Sequence, residues 1–505
     1  MGLRERAIKA TAWAGAAKVV GQAVAWAVTL VLARILDPKD YGLMAIVVFF
    51  MTFGVFFVRY GAGTAIIQRQ TVSDDELSSV FWFTMILALI LYAIIYVAAP
   101  FIAAYYEMPE LTPMLRVVGV AFLFDGAGLV SKSVLEKSLN FRYLAHAEVV
   151  ATILSAVAAF ACAISGLGVW SLVISYLVLS FVRSLLQFVF TRWLPGLKLQ
   201  VRRILDMITF GSSMSISQVL WYLYAHIDTM LIGKVLGQTP LGFYTMSMSL
   251  AAAPLQKVGL VFCQVSLPVL AQVKQDKAAL GNYFIKMVQG ISLMTLPLYT
   301  GGILVANELV PLALGDKWAP AIPAFKVLCL VLMIRAVDTL SRPVLLAVGK
   351  APLALLFDLI FAIVFPVLLL AGLLKGGMTG LFIVMPILYL VSTILWAWIA
   401  IRQTDLRLRD FARALWPVIE PCLVMAAVLI PARLLLLSTV KLPYCEMAGA
   451  VLPGKLLLVN KLFQAAQLTW LCALGAGAFF ATMLRHHPEL LARTISQVKA
   501  IRSKS

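Results

Sequence analysis

Charged side chains are scarce in this chain. Only 13% of its 505 residues are Asp, Glu, Lys or Arg, about half the share in a soluble globular domain. A soluble enzyme needs polar cover for its surface, so that class is excluded, and so is a disordered chain. Acids are the scarcer sign, with 23 Asp and Glu against 41 Lys and Arg. Six cysteines show no CxxC and no paired spacing, which excludes a disulfide scaffold and gives no metal framework. Five of them (Cys162, Cys263, Cys329, Cys422, Cys472) lie in apolar runs, and Cys445 lies in a polar stretch. No GxxxxGK[ST] segment occurs, so no phosphate-cradling loop for ATP is expected and no cofactor is implied.

Apolar residues fill the space left by charge. The hydrophobic fraction is 62% and the mean hydropathy is +0.97. That is too much for one soluble core, and barrel strands alternate and dilute their apolar content. The composition therefore predicts an all-α polytopic membrane protein. A helix needs about 20 mostly apolar residues to cross a bilayer. By that measure the sequence offers fourteen spans: 12–33, 41–67, 77–99, 114–135, 145–165, 168–190, 207–233, 241–271, 284–306, 320–348, 352–374, 377–401, 414–436 and 464–484. The segment Met1–Lys9 is short and basic without a small-residue cleavage site, and reads as the lead into a retained first helix.

The basic residues orient these spans. With the N-terminus in the cytoplasm, the cytoplasmic segments hold 24 Lys and Arg and the opposite loops hold 8. That bias predicts both termini inside. It also gives the tail from Arg485 to Ser505 an ordinary role as a topology anchor, not a nucleic-acid arm.

An internal duplication is legible. Ala33-Arg34-Ile35-Leu36 with Gly42 matches Gly233-Lys234-Val235-Leu236 with Gly242, at an offset of 200. Farther on, Leu115-Arg116-Val117 meets Phe325-Lys326-Val327. Ser131-Lys132-Ser133-Val134-Leu135 likewise meets Ser341-Arg342-Pro343-Val344-Leu345, now at an offset of 210. These matches predict two parallel six-helix lobes around a central cavity, residues 1–204 and 205–413, with two appended helices and a basic tail over 414–505. Transporters are commonly built from such repeats, with the substrate site at the repeat interface.

Nine Lys and Arg, all within the spans, stand outside these two counts. Arg116, Arg183, Lys326 and Arg433 sit near span ends and can snorkel. Lys18, Arg59, Lys257, Arg335 and Arg342 lie deeper, where a charge costs at least about 2.5–3.5 kcal/mol. Such residues call for a wet interior or a partner. Acids in the spans include Asp125, Glu148, Asp228, Asp338 and Asp358. A net cationic cavity suits an anionic substrate, and arginine's planar fork binds diphosphate bidentately. Arg59 and Arg335 are the leading candidates, with Lys257, Lys18, Arg342 and Lys132 beside them. Asp338 lies three residues from Arg335 and four from Arg342, so pairing along one helix face is the competing account. Asp125, Asp228, Asp338 and Asp358 are candidates for ion coupling. Trp221, Tyr222 and Tyr224, near His226, either line a sugar path or form an interfacial belt.

The chain resembles bacterial polysaccharide flippases of the Wzx type, in the multidrug/oligosaccharidyl-lipid/polysaccharide exporter superfamily. Three stretches carry the resemblance: Ala33 to Leu36 with Tyr41-Gly42; Leu135 to Arg142, with Asn140-Phe141-Arg142; and Leu314-Gly315-Asp316-Lys317-Trp318 followed by Lys326. The resemblance implies inward- and outward-opening six-helix lobes and no enzymatic activity. It implies export of an undecaprenyl-diphosphate-linked oligosaccharide across the bacterial inner membrane, for lipopolysaccharide or exopolysaccharide synthesis. Membrane lipid, the polysaccharide polymerase and the chain-length machinery are the implied partners. Drug-exporting relatives use an acid in the first helix, where this chain has Lys18 and none. A lipid II flippase and a membrane-embedded polymerase or ligase are the alternatives. The longest external loop, 437–463, carries one acid, Glu446, and no histidine, which is poor equipment for glycosyl transfer.

Overall fold

A computed structural model describes residues 21–22, 24–69, 72–197, 200, 222–223, 225–439 and 454–490. Helices dominate, and no strand occurs among the described residues. The all-α expectation holds because a bilayer leaves backbone polar groups no other partner than their own helix. Internal contacts cluster into two compact units that meet in sequence between Thr245 and Met246. The expected lobe limit at 204/205 lies outside the described residues.

The first unit holds α1 (Val24–Ile35), α2 (Pro38–Gln68), α3 (Asp74–Tyr106), α4 (Leu111–Val118), α5 (Ala121–Lys137), α6 (Phe141–Ile164), α7 (Trp170–Thr191) and α8 (Ile227–Leu236). Helix α3 starts at a capping box: Ser73 accepts from the Glu76 amide while the Glu76 carboxylate accepts from the Ser73 amide. Its end is held by Lys234 of α8, whose ammonium lies 2.8 Å from the Glu107 carboxylate. That hydrogen bond keeps the Glu107 carboxyl below its usual range. Small residues let helices approach closely inside a membrane. On α6 they recur every fourth position, and Ala147, Ala151, Ser155, Ala159 and Ala163 are all buried. Helix α7 answers with a polar stripe, Ser180, Ser184, Gln187 and Thr191. From it the Ser184 and Thr191 hydroxyls donate to the Phe124 and Ser131 carbonyls of α5, at 2.6 and 3.3 Å.

The second unit holds most of α9 (Gln238–Gln272), then α10 (Lys277–Leu304), α11 (Ala306–Leu314), a 3-10 turn (Asp316–Ala321), α12 (Ile322–Asp338), α13 (Ser341–Ala347), α14 (Ala351–Ile401), α15 (Leu408–Thr439) and α16 (Gly454–His486). Its largest apolar cluster joins Leu293 and Leu296 of α10 to Val418, Met425 and Leu429 of α15 and Phe479 of α16. Helix α14 is two spans in one. Gly377 breaks it with φ 55° and ψ −138°, a conformation glycine adopts without a Cβ penalty. Phe357 packs at a tilt against Trp396, and Phe365 packs edge-on against Tyr389. Gly372 touches Gly380 through backbone, although a continuous helix would hold residues eight apart about 12 Å from each other. The two halves are therefore an antiparallel hairpin, as the predicted spans 352–374 and 377–401 require.

Ten helices among the described residues are long and apolar enough to cross a membrane, one of them the α14 hairpin. They take in eleven of the fourteen predicted spans. Spans 12–33 and 207–233 fall mostly outside the described residues, and span 241–271 is α9, helical but not among those ten. A count of fourteen is thus not established.

Candidate functional site

Several of the in-span charges gather into a cluster in each unit. In the first, Arg183 of α7 places one guanidinium nitrogen 2.9 Å from the Asp125 carboxylate of α5. Its other terminal nitrogen lies 3.9 Å from Glu148 of α6. The Arg183 and Asp125 side chains are only 23% and 13% exposed, so their attraction acts with little screening. Two turns along α5, Lys132 pairs with Glu136 at 3.5 Å across i,i+4 spacing. Asp125, Lys132, Arg183, Ser184 and Gln187 line one small polar pocket.

The second cluster stands at the matched repeat positions. Arg335, offset by 210 from Asp125, stacks its guanidinium over Tyr389 at 5.2 Å from the ring centre. Asp338, three residues on, accepts from the Thr393 hydroxyl at 3.0 Å. Arg342, the counterpart of Lys132, meets Asp358 at 3.1 Å. Helices α12 and α13 therefore face the α14 hairpin through charged residues, much as α5 faces α7.

The candidates fare differently. Arg335 and Arg342 each have a carboxylate near them, from Asp338 on the same helix face and from Asp358 across α14. Asp125 is engaged by Arg183. Buried Asp228, 5% exposed, accepts from the Tyr244 hydroxyl and from the Thr229 amide. Lys257 is exposed on α9. Arg59 lies on helical backbone in α2, with its side chain outside the described residues, and Lys18 lies wholly outside them. Tyr222 is buried between Phe49 and Phe56 and packs on His226, so it serves the core of its unit. Trp221 and Tyr224 fall outside the described residues.

Arg183 is the residue that sequence reasoning misplaced. It was assigned to a span end, yet it sits inside α7 with two acids around it. A signal existed in the polar stripe Ser180, Ser184, Gln187 and Thr191, whose spacing marks one helix face. Among the described residues no group of three His, Cys, Asp or Glu could hold a metal ion.

The polysaccharide biosynthesis protein family matches residues 31–323, more than half of the chain. This chain belongs to that family. It is a multi-span membrane protein. It is 25% identical over 424 residues to the lipopolysaccharide biosynthesis protein WzxC of Escherichia coli (strain K12), covering 82% of this chain and 85% of that one. It is 24% identical to the succinoglycan biosynthesis transport protein ExoT of Rhizobium meliloti (strain 1021), covering 93% and 91%. Its fold is similar to that of a solved structure of the lipid II flippase MurJ. The TM-score is 0.70 at 12% identity, over 95% of this chain and 99% of that one.

Proposed function

We propose that this family member flips an undecaprenyl-diphosphate-linked oligosaccharide across the bacterial inner membrane, and that it makes and breaks no covalent bond. Family membership together with an exporter-type fold over 95% of the chain carries the reading. The lobes 1–204 and 205–413 alternate access to a cationic cavity, with 414–505 appended and both termini in the cytoplasm. Arg59 and Arg335 hold the diphosphate, assisted by Lys257, Lys18, Arg342 and Lys132. The lipid tail stays in the bilayer while the sugars cross through water. Asp125, Asp228, Asp338 and Asp358 couple the cycle to an ion gradient. The product is handed to a polymerase and its chain-length machinery.

Guanidinium groups already balanced by acids inform this mechanism. Arg342 is paired with Asp358, so an arriving diphosphate must compete with that carboxylate. Arg335 rests on an aromatic face with Asp338 close by, and its planar fork is of the shape that binds a phosphate bidentately.

Deletion of the gene in the source bacterium, with complementation, tests the reading. The expected result is loss of polymer and accumulation of complete lipid-linked repeat units. Wild type and Arg335→Lys restore polymer at least in part, and Arg335→Ala does not despite normal expression. Unpolymerised repeat units at the periplasmic face would instead mark a polymerase or ligase.

A further inference from the structure

A groove of about 710 Å³ opens on the outside of the first unit, where α3, the α4–α5 pair and α7 meet. That volume lies within the range of pockets that take a small ligand. Tyr92, Tyr96, Phe124, Leu177 and Phe181 line it, and its one charged lining residue is Arg116. Tyr96, Val117 and Phe181 are exposed, so the groove faces what surrounds the unit. Spans of this apolarity are surrounded by lipid, and an acyl chain fits such walls.

Arg116 decides the occupant. Its Nε donates to the Tyr96 carbonyl at 3.3 Å, and its guanidinium lies 4.4 Å from the Tyr96 ring centre. Neither contact is a carboxylate, and no acid lines the groove. At the matched repeat position, Lys326 has both Arg433 and Glu308 near it, and those two are bound to each other at 2.9 Å. The second unit thus sets an acid near its cation, and among the described residues that line the groove the first sets none. Arg116 stands five residues into α4, about 8 Å along the axis from its start. It is thus near one end of the apolar span Leu111–Lys137, where a long basic side chain can reach toward the phosphate level. The α4 C-terminus, two residues away, favours a cation there.

We propose that this groove binds an anionic phospholipid of the surrounding bilayer, with its phosphate on Arg116 and an acyl chain along Tyr92, Phe124, Leu177 and Phe181. The site is separate from the transported substrate and stands whether or not the flippase reading does. A bound lipid here stiffens the junction of α3 with the α4–α5 break and ties it to α7.

Native mass spectrometry of the full chain, released from nanodiscs of phosphatidylethanolamine and phosphatidylglycerol in equal amounts, tests this. Wild type is expected to retain phosphatidylglycerol in preference to phosphatidylethanolamine. Arg116→Gln weakens that retention about tenfold, the loss of one charge-assisted contact, and Arg116→Lys falls between. Leu177→Trp fills the groove, keeps the charge and also loses the lipid, which guards against misfolding of the arginine variant. Arg409→Gln, outside the groove, retains it. Equal retention of the two lipids by wild type would overturn the proposal. So would unchanged retention in Arg116→Gln at an unchanged unfolding temperature. A retained mass matching a polyprenyl diphosphate would also overturn it, assigning the groove to the substrate tail.

Discussion

A guanidinium within a bilayer needs an acid, an aromatic face or water, and this chain uses all the protein-borne options. Arg183 takes Asp125 and Glu148, Arg342 takes Asp358, and Arg335 takes Tyr389 with Asp338 nearby. Removing one member of a buried pair strands the other and costs about 3–5 kcal/mol, whereas removing both is often neutral. Asp125→Asn and Arg183→Gln are therefore each expected to lower thermal stability in detergent, and the double variant is expected to recover much of the loss. Additive losses would show that the two side chains act independently. The sequence displayed which residues were costly but not who held them. Asp125 and Arg183 lie 58 positions apart, and only the α5–α7 packing joins them. By contrast, the closeness of Asp338 to Arg335 was legible because the two lie within one helix turn.

At the scale of elements, apolar run length was the readable quantity, because bilayer thickness fixes it. The α14 hairpin shows both the strength and the limit of that rule. Its two spans were separated correctly at Gly377, a residue that helical periodicity alone would have passed over. Helix α9 shows the limit, since Pro254 and Pro268 lie within its range and it still forms one helix of 35 residues. The duplication also left a physical mark. Matched Gly42 and Gly242 lie in the first turns of α2 and α9, and each packs against backbone at the start of the other helix. A Cβ on Gly42 would overlap the Gln238 carbonyl, and one on Gly242 would overlap the Pro38 carbonyl. Pro38 and Gln238 are themselves 200 positions apart, so the contact is reciprocal about a local two-fold. Backbone cannot yield as a side chain can, so Gly42→Ala and Gly242→Ala should each destabilise by more than the about 1–3 kcal/mol typical of an overpacked core. Yields of monodisperse protein and unfolding temperatures check this. Alanine at both positions without loss would show that the helices separate freely there.

For the whole molecule, the class was written in the composition and the function was not. Scarce charge and abundant apolar surface dictate a helical membrane protein, and the chain's fold resembles that of the lipid II flippase MurJ, but a fold by itself does not name a cargo. Sequence could point to a cationic transport path only through residues too expensive to keep idle, and Arg59 and Lys18 still stand for that path outside the described side chains. Sidedness of the lipid-linked repeat unit is the most direct measurement. Spheroplasts of the wild type, the deletion strain and the Arg335→Ala strain would be exposed to membrane-impermeant periodate, which oxidises only outward-facing sugars. The account predicts oxidised lipid-linked sugar in the wild type, and protected sugar in the deletion and Arg335→Ala strains. Equal oxidation in all three strains would contradict it, because the repeat unit would then be crossing without this protein.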